Sequence, residues 1–369
     1  MKNVILLGLL FITHFVSASE AADFKTVYQD FLKAHEQSDY PRAVTLAEQA
    51  LALGKIEYGE VSKNTANLAF SLANAYASNK QYMMAFSTMQ QVREQYKQLF
   101  GEQSLEFLQV TLNQIAVYPR TQEKRHSKVK AELSPLLNEV ISLTNNLAEQ
   151  SPELAAGAYY ELAKQLLQSP LMSEYRRKIL KYSELAEESL TAEFGDKDVR
   201  TIEMRLVLGR YKAADRKYND AVGYFESIVS TVNSTLGTSH PFELSAHASL
   251  VDVYERMGQS EKATEHCIAI GKMTPWSDEI EPIPLYRVSP QYPIRAARNG
   301  QDGWVQMEFD LDKMGFVKNV ALIESSSDDS FVKEAIKALE KWRYAPKFVD
   351  GQAVVANKLK IQLDFKLQK

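Results

Sequence analysis

The chain is 369 residues long, enough for two or three domains. Hydrophobic residues make up 45% and charged residues 24%, which excludes low-complexity and collagen-like chains. The 43 Lys and Arg against 47 Asp and Glu are too balanced for a general nucleic-acid binder, and the single cysteine, Cys267, leaves no internal disulfide or thiolate metal cluster.

The N-terminus comes first in chain order. Met1-Lys2-Asn3 precedes an apolar run from Val4 to Ile12, and Val16-Ser17-Ala18 stands before Ser19. A basic start, a short apolar stretch and a small-x-small site predict a signal peptide over residues 1–18, cleaved on export. The alternative is an uncleaved anchor in the inner membrane, but a spanning helix needs ~20 apolar residues. Thr13 and His14 interrupt this run, and no Lys or Arg follows Ala18 as a stop-transfer flank. On either reading the body of the chain lies outside the inner membrane.

Residues 24–273 carry apolar groups at helical spacing, as in Leu68, Ala69, Leu72 and Ala75-Tyr76. A period near 42 accompanies them. Gly59-Glu60-Val61-Ser62 recurs as Gly101-Glu102-Gln103-Ser104, and Gly195 is followed by Gly237. Ala43, Ala85 and Ala221 each lie sixteen residues before one of these glycines, and Ala263 follows Ala221 by one period. Three positions before these alanines stand Tyr40, Tyr82, Tyr218 and Ser260. The period predicts one helix pair per repeat, with alanine at the close crossing and the aromatic filling space between pairs. One pair cannot bury its apolar face alone, so pairs must stack. The region resembles the tetratricopeptide repeat family in its long-loop form. Leu72–Tyr76, Tyr82 and Ala85 carry one unit, Tyr211, Tyr218 and Ala221 another, and Leu250, Tyr254, Gly258 and Ala263 a third. The pattern degrades between Leu112 and Leu180, where the basic segment from Pro119 to Lys130 reads as an irregular connection and Ala155–Leu166 as an out-of-phase helix. Five or six helix pairs are expected. Arrays of this family usually bind protein segments, so the resemblance implies an unidentified protein partner here, against the plainer reading of a spacer.

Five prolines between Pro275 and Pro293 mark a break, and a linker is expected over residues 274–285. Charge divides there too. Residues 282–369 hold fourteen basic and eleven acidic groups, whereas residues 19–281 hold 28 and 36. Beyond the linker, Ile294–Arg298 reads as a short helical turn ending at Asn299-Gly300. Val305, Met307, Phe309 and Leu311 alternate with polar residues as a strand with one buried face. Asp312–Gly315 makes a hairpin turn into a return strand over Phe316–Ile323. Ser325–Ser330 reads as a helix cap, Phe331, Ala335, Leu339 and Trp342 as one helical stripe, and Tyr344-Ala345-Pro346 as its end. Asp350-Gly351 is a turn, and Leu359, Ile361, Leu363, Phe365 and Leu367 alternate along a last strand. The fold class is therefore an all-α helical-repeat solenoid followed by a small α+β domain, residues 286–369, with a three-stranded antiparallel sheet and two helices.

This last segment resembles the C-terminal domain of the TonB energy-transducer family. The residues that carry the resemblance are Pro290, Tyr292 and Pro293, then Gly300, Gly303, Val305 and Phe309, then Gly315, Phe331, Trp342-Arg343-Tyr344, Pro346 and Gly351. The resemblance implies periplasmic docking to an outer-membrane TonB-dependent receptor or to another component of the TonB system, where a receptor segment adds as a strand beside the last strand. A three-stranded sheet must leave edges, and an edge is a template for an incoming strand. The expected contact residues are Val355, Asn357, Lys358, Lys360, Gln362 and Lys366, with Lys358 and Lys360 favouring acidic peptides. Where a full transducer has a membrane helix and a long Pro-rich linker, this chain has a removable leader and a repeat array. It reads as an adaptor or transducer component of TonB-dependent transport, such as iron uptake, with a cell-envelope scaffold as the alternative.

Catalytic motifs are not found. There is no His-Glu-x-x-His helix, no phosphate-binding Gly-Lys-Ser/Thr loop and no Gly-x-Gly-x-x-Gly fingerprint. His240 and His247 share a helix face and His266-Cys267 lies beyond, but packing is the expected role of these histidines rather than metal binding. Cys267 reads as a small buried hydrophobe whose thiol, if exposed, could pair between chains. No enzyme activity, cofactor, metal or nucleic-acid partner is expected.

Overall fold

The computed structural model describes residues 20–118, 126–233, 241–274, 280–326 and 329–367, and for Glu20–Asp23, Pro152, Glu153 and Asn233 the backbone only. The expected signal peptide therefore lies outside the described residues. The chain divides into two compact units, Met1–Tyr182 and Ser183–Lys369, and the division falls within a helix. This division falls before the expected linker at 274–285, of which residues 275–279 lie outside the described residues. The last helices of the array belong with the sheet domain.

In the first unit, helices α1 (Glu20–Glu36), α2 (Tyr40–Tyr58), α3 (Lys63–Ser78), α4 (Tyr82–Phe100), α5 (Leu105–Ala116), α6 (His126–Gln150) and α7 (Pro152–Gln168) follow one another, each packed on the next. Helix α8 (Arg176–Phe194) carries the division. The second unit continues with α9 (Val199–Ala214), α10 (Tyr218–Asn233), α11 (Pro241–Arg256) and α12 (Ser260–Met273). Among the described residues before the sheet domain, twelve helices follow one another as six consecutive pairs. The 42-residue period has a local cause. Inside four of the pairs the turn holds a residue in the left-handed region at the same place: Ser38, Lys80, Arg216 and Gly258, with φ between 60° and 72°. The residue after each donates its N–H back to the preceding helix: Asp39 to Ala34, Gln81 to Tyr76, Lys217 to Lys212 and Gln259 to Tyr254, at 2.8–2.9 Å. These bonds satisfy carbonyls that the helix end would otherwise leave unpaired. Between pairs, Gly59, Gly101 and Gly195 end the second helix at φ 83–86°, and Ser62 and Ser104 cap the helix that follows.

Ala85, Ala221 and Ala263 are fully buried, and Tyr76 and Tyr254 are buried. Tyr211 and Tyr218 are half-buried. Tyr82 departs from its expected filling role: it is 45% exposed, beside the exposed Met83 and Met84 at the start of α4. The irregular connection expected over 119–130 is narrower, since α6 already begins at His126 and residues 119–125 lie outside the described residues. Helix α6 is also longer than its counterparts and holds Pro135 inside it, which explains why the periodic pattern fails there.

The sheet domain contains β1 (Pro284–Tyr286), α13 (Ile294–Arg298), β2 (Gly303–Leu311), β3 (Val317–Ser325), α14 (Asp329–Leu339), β4 (Arg343–Tyr344), β5 (Lys347–Val349), β6 (Gln352–Val354) and β7 (Ala356–Phe365). The main sheet is antiparallel in the order β3-β2-β7. Val305, Met307, Phe309 and Leu311 of β2 point into a core completed by Phe331, Ala335 and Leu339 of α14. Two small ladders, β1 with β4 and β5 with β6, have no periodic signature and escaped the sequence reading. Residues 284 and 285, assigned above to the linker, and Tyr286 form β1, where Pro284 can sit because a two-stranded ladder leaves one side of each strand unpaired. Helix α14 ends at Leu339, so Tyr344 lies in a strand instead of closing the helix. Ser326 pairs with Trp304 through its N–H (3.1 Å) and its Oγ (2.8 Å), which extends the β2–β3 ladder; Ser327 and Asp328 of the expected cap lie outside the described residues.

Candidate docking edge

The residues that carried the family resemblance are framework. Tyr292 packs its ring edge-on against Phe331 and Phe365 and donates its hydroxyl to the Gln301 carbonyl at 2.7 Å. Pro293 is buried at the start of α13, and Gly300 follows that helix at φ 63°. Pro290 is half-buried in the segment before it, Gly303 opens β2, and Gly351 makes the β5–β6 turn at φ 75°. Trp342 is buried and donates Nε1–H to the Val288 carbonyl at 2.9 Å. Gly315 is required by space as well as by φ, since a Cβ there would lie 2.0 Å from the Tyr344 carbonyl oxygen.

The two outer strands of the sheet are unlike. Strand β3 pairs with β2 through two register shifts within nine residues, and Asn319 sits at φ 52°. Strand β7 pairs without a break from Leu359, opposite Phe309, to Phe365, opposite Gly303. Its one irregularity lies at its start, where Lys358 takes φ 58° and three residues of β7 span two of β2. Among the described residues no strand pairs on the outer side of β7. Lys358, Lys360 and Gln362 are exposed along β7, opposite the half-buried Leu359, Ile361 and Leu363. Asn357 is exposed at the irregular start. Val355 precedes the strand, 45% exposed, and Lys366 follows it. A cleft of about 150 Å³ opens beside the apolar side of β7, floored by Phe309, Tyr344, Leu359 and Ile361, with Arg287 and Glu281 at its rim.

Sequence reasoning missed what Arg343 does. This arginine of the Trp-Arg-Tyr string is 2% exposed. It donates to Glu255 Oε1 of α11 at 2.5 Å, to Thr264 Oγ1 of α12 at 2.8 Å and to the Met314 carbonyl at 3.2 Å, and it lies 3.6 Å from the Phe316 ring centroid. Gly271 of α12 lets Phe348 and the Pro346 carbonyl approach to where a Cβ would be, at 2.7 Å each. Ala345, Leu285 and Tyr286 join the apolar cluster of α9–α12. The last helix pair and the sheet domain therefore share a core. A buried cation in an unremarkable motif position leaves no sequence signal until its partner, 88 residues earlier, is known. Cys267 lies beside this site, fully buried, its thiol pushed up to about 11 by burial. It is not placed to pair between chains.

His247 and His266, separated in sequence, meet with their Nδ1 atoms 2.8 Å apart, and the Tyr254 ring stacks on His266. Burial, then the neighbouring His266, lowers His247 to about 4, so one neutral ring donates to the other. His240 lies outside the described residues.

This strand order, the helices over one face and the motif residues in framework positions agree with one family. Residues 288–367 match Gram-negative bacterial TonB protein C-terminal. The TonB C-terminal match begins after β1 and covers the rest of the sheet domain, not the helices of the array. Within it the chain is 36% identical over 76 residues to the protein TonB of Escherichia coli, covering 21% of this chain and 31% of that protein. It is 33% identical over 82 residues to the protein TonB of Vibrio cholerae, covering 22% and 33%. The chain thus spans about a third of the length of these curated TonB relatives. A solved structure of nearly identical TPR-like repeats from Podosopora anserina, 16% identical, covers 70% of this chain and 100% of its own, with a TM-score of 0.35. Among the described residues no helix is long and apolar enough to cross a membrane.

Proposed function

We propose that this protein is a component of TonB-dependent transport across the outer membrane, working in the periplasm after export, and that its TonB C-terminal-like domain docks an extended segment of a receptor or of another TonB-system component by strand addition to β7. The observation that carries this reading is the difference between the two sheet edges. The β3 edge is broken by two register shifts, which twist an edge and make it a poor template. The β7 edge offers seven consecutive regularly paired residues, Leu359 to Phe365. Main-chain hydrogen bonds would hold the incoming strand and pockets would select alternate side chains. Lys358 and Lys360 would draw acidic segments to the edge. The helical pairs would hold a second protein of the same apparatus. The chemistry is association, with no covalent step.

The test is a pull-down of the full chain from membranes, with Gln362→Pro as control, since proline on the free edge removes an outward donor without adding charge. Recovery of a receptor, transducer or motor protein that falls in the variant supports the reading, as does a growth defect of a deletion strain when iron or another scarce nutrient limits. Envelope defects independent of nutrient supply, with no such protein recovered, would favour an assembly scaffold and overturn it.

A further inference from the structure

One side chain of the central strand holds the irregular points of both edges. Asp310 Oδ1 accepts the backbone N–H of Lys358 in β7 at 2.9 Å, and its Oδ2 accepts Nδ2 of Asn319 in β3 at 2.8 Å. Lys358 and Asn319 both sit in the left-handed region, at φ 58° and 52°. Left-handed backbone is costly for a residue with a Cβ, and an unbranched lysine gains nothing from it by itself. The carboxylate supplies the compensation, because the Lys358 N–H that the extra residue turns out of the ladder finds a charged acceptor. The Asn319 amide and then the Lys358 N–H hold the Asp310 carboxyl below the usual range.

The bulge decides which peptide groups of β7 face outward. Leu367 N–H donates to Asp302 Oδ1 at 3.0 Å, on the β2 side of the strand. By the alternation of an antiparallel ladder, residues 359, 361, 363 and 365 direct their peptide groups to β2, and Lys360, Gln362 and Asp364 direct theirs outward. At Lys358 the alternation fails, since its N–H also turns towards β2. The outward row therefore begins at Lys360.

We infer that Asp310 is a positioning residue that sets a register stop: an extended peptide segment of a partner protein pairs with β7 only along Leu359–Phe365, and the Lys358 bulge ends the ladder. The inference rests on the strand-addition reading. It gives the ligand a length of about seven residues, and a pattern. Alternate side chains lie over Leu359, Ile361 and Leu363 and the cleft beside them, and are apolar. The others stand beside Lys360, Gln362 and Asp364, where Gln362 Nε2 already bonds Asp364 Oδ1 at 2.9 Å, and are polar. Val355, Asn357 and Lys358 fall outside the ladder.

The test places the photo-crosslinker p-benzoylphenylalanine singly at positions 355, 357, 360, 362 and 366 of the full chain in intact cells, in the natural background and with Asp310→Ala or Asp310→Asn. Amide exchange of the purified full chain is measured alongside. The inference expects one crosslinked species from 360 and 362 and none from 355 or 357. Asp310→Ala should speed exchange at Lys358 by ~10-fold or more and bring position 357 into the crosslinked set. Asp310→Asn, which keeps an oxygen for the Lys358 N–H, should retain the stop. Crosslinks that run evenly from 355 to 362 in the natural background would leave docking standing and overturn the stop. Unchanged exchange in Asp310→Ala would overturn the role of Asp310. Absence of crosslinks along the whole of β7 would overturn docking at this edge, and the stop with it.

Discussion

Three junctions between helix pairs place a glutamate of one pair 28 residues before its partner in the next. Tyr76 donates its hydroxyl to Glu48 at 2.6 Å, Tyr254 donates to Glu226 at 2.6 Å, and Lys212 reaches Glu184 at 3.0 Å. The backbone spacing is constant while the chemistry passes from a neutral donor to an ion pair. The contact that joins the last pair to the sheet domain is of another kind. Arg343 meets Glu255, Thr264, the Met314 carbonyl and the Phe316 ring in one buried place, and nothing elsewhere in the described residues repeats it. A repeated junction can lose one donor and keep its geometry, because neighbouring pairs stack on apolar faces. A unique junction built on a buried charge cannot, because its removal strands the partner.

The largest effect should therefore follow breaking that ion pair. Glu255→Ala leaves the Arg343 guanidinium buried against Cys267 and Phe316, and is expected to cost about 3–5 kcal/mol. All three tryptophans, at 276, 304 and 342, lie in the Ser183–Lys369 unit, so their fluorescence in a denaturant titration reports on it. A loss below about 1 kcal/mol would mean that the helices and the sheet do not depend on each other through this contact. Gly315→Ala follows closely. It demands a Cβ where the Tyr344 carbonyl stands and a left-handed alanine, together about 2–5 kcal/mol by the same measurement.

The contrast also explains what could be read in the sequence. Helix pairs were legible because one geometry recurs at a fixed period and each copy checks the others. The strands β2 and β7 were legible because one face is buried and alternation follows from the pleat. β1, β4, β5 and β6 are two or three residues long, too short for any period. The edge residues could be listed from Val355 to Lys366, but not divided, because the bulge at Lys358 depends on Asp310 in another strand. Tyr82 shows the opposite failure: it occupies the repeat position of Tyr40 and Tyr218, and the period cannot tell that its ring is exposed.

Between these extremes lies the histidine pair of α11 and α12. His247 is held near 4, by burial first and His266 second, against about 6.5 when unfolded. Its folded value is depressed, so its contribution is complete above pH 6.5 and is lost as pH falls through about 4. Stability of this unit should drop by roughly 1.4 kcal/mol per pH unit within that window. Burial lowers His266 as well, and Glu265 and Glu226 near it oppose but do not remove this trend. His247→Asn, which can still bond His266, should flatten the slope. An unchanged slope would place the acid sensitivity elsewhere.

The smallest effects should come from the tyrosines, and they test whether the repeated positions are equivalent. Tyr254→Phe removes a hydroxyl from Glu226 and keeps the ring on His266, for a cost of about 0.5–1.5 kcal/mol. Tyr76→Phe should cost the same against Glu48. Tyr76 is pushed up to about 12, by burial first and Glu48 second, so its contribution is intact below pH 10 and declines as pH rises towards 12. The phenylalanine variant should lose that alkaline slope. Tyr82→Ser, although it changes a repeat position, should move stability by no more than about 0.5 kcal/mol, since the ring lies on the surface. If Tyr82→Ser costs more than Tyr76→Phe, the repeat position matters through packing that exposure does not register, and equivalence by period outweighs local burial.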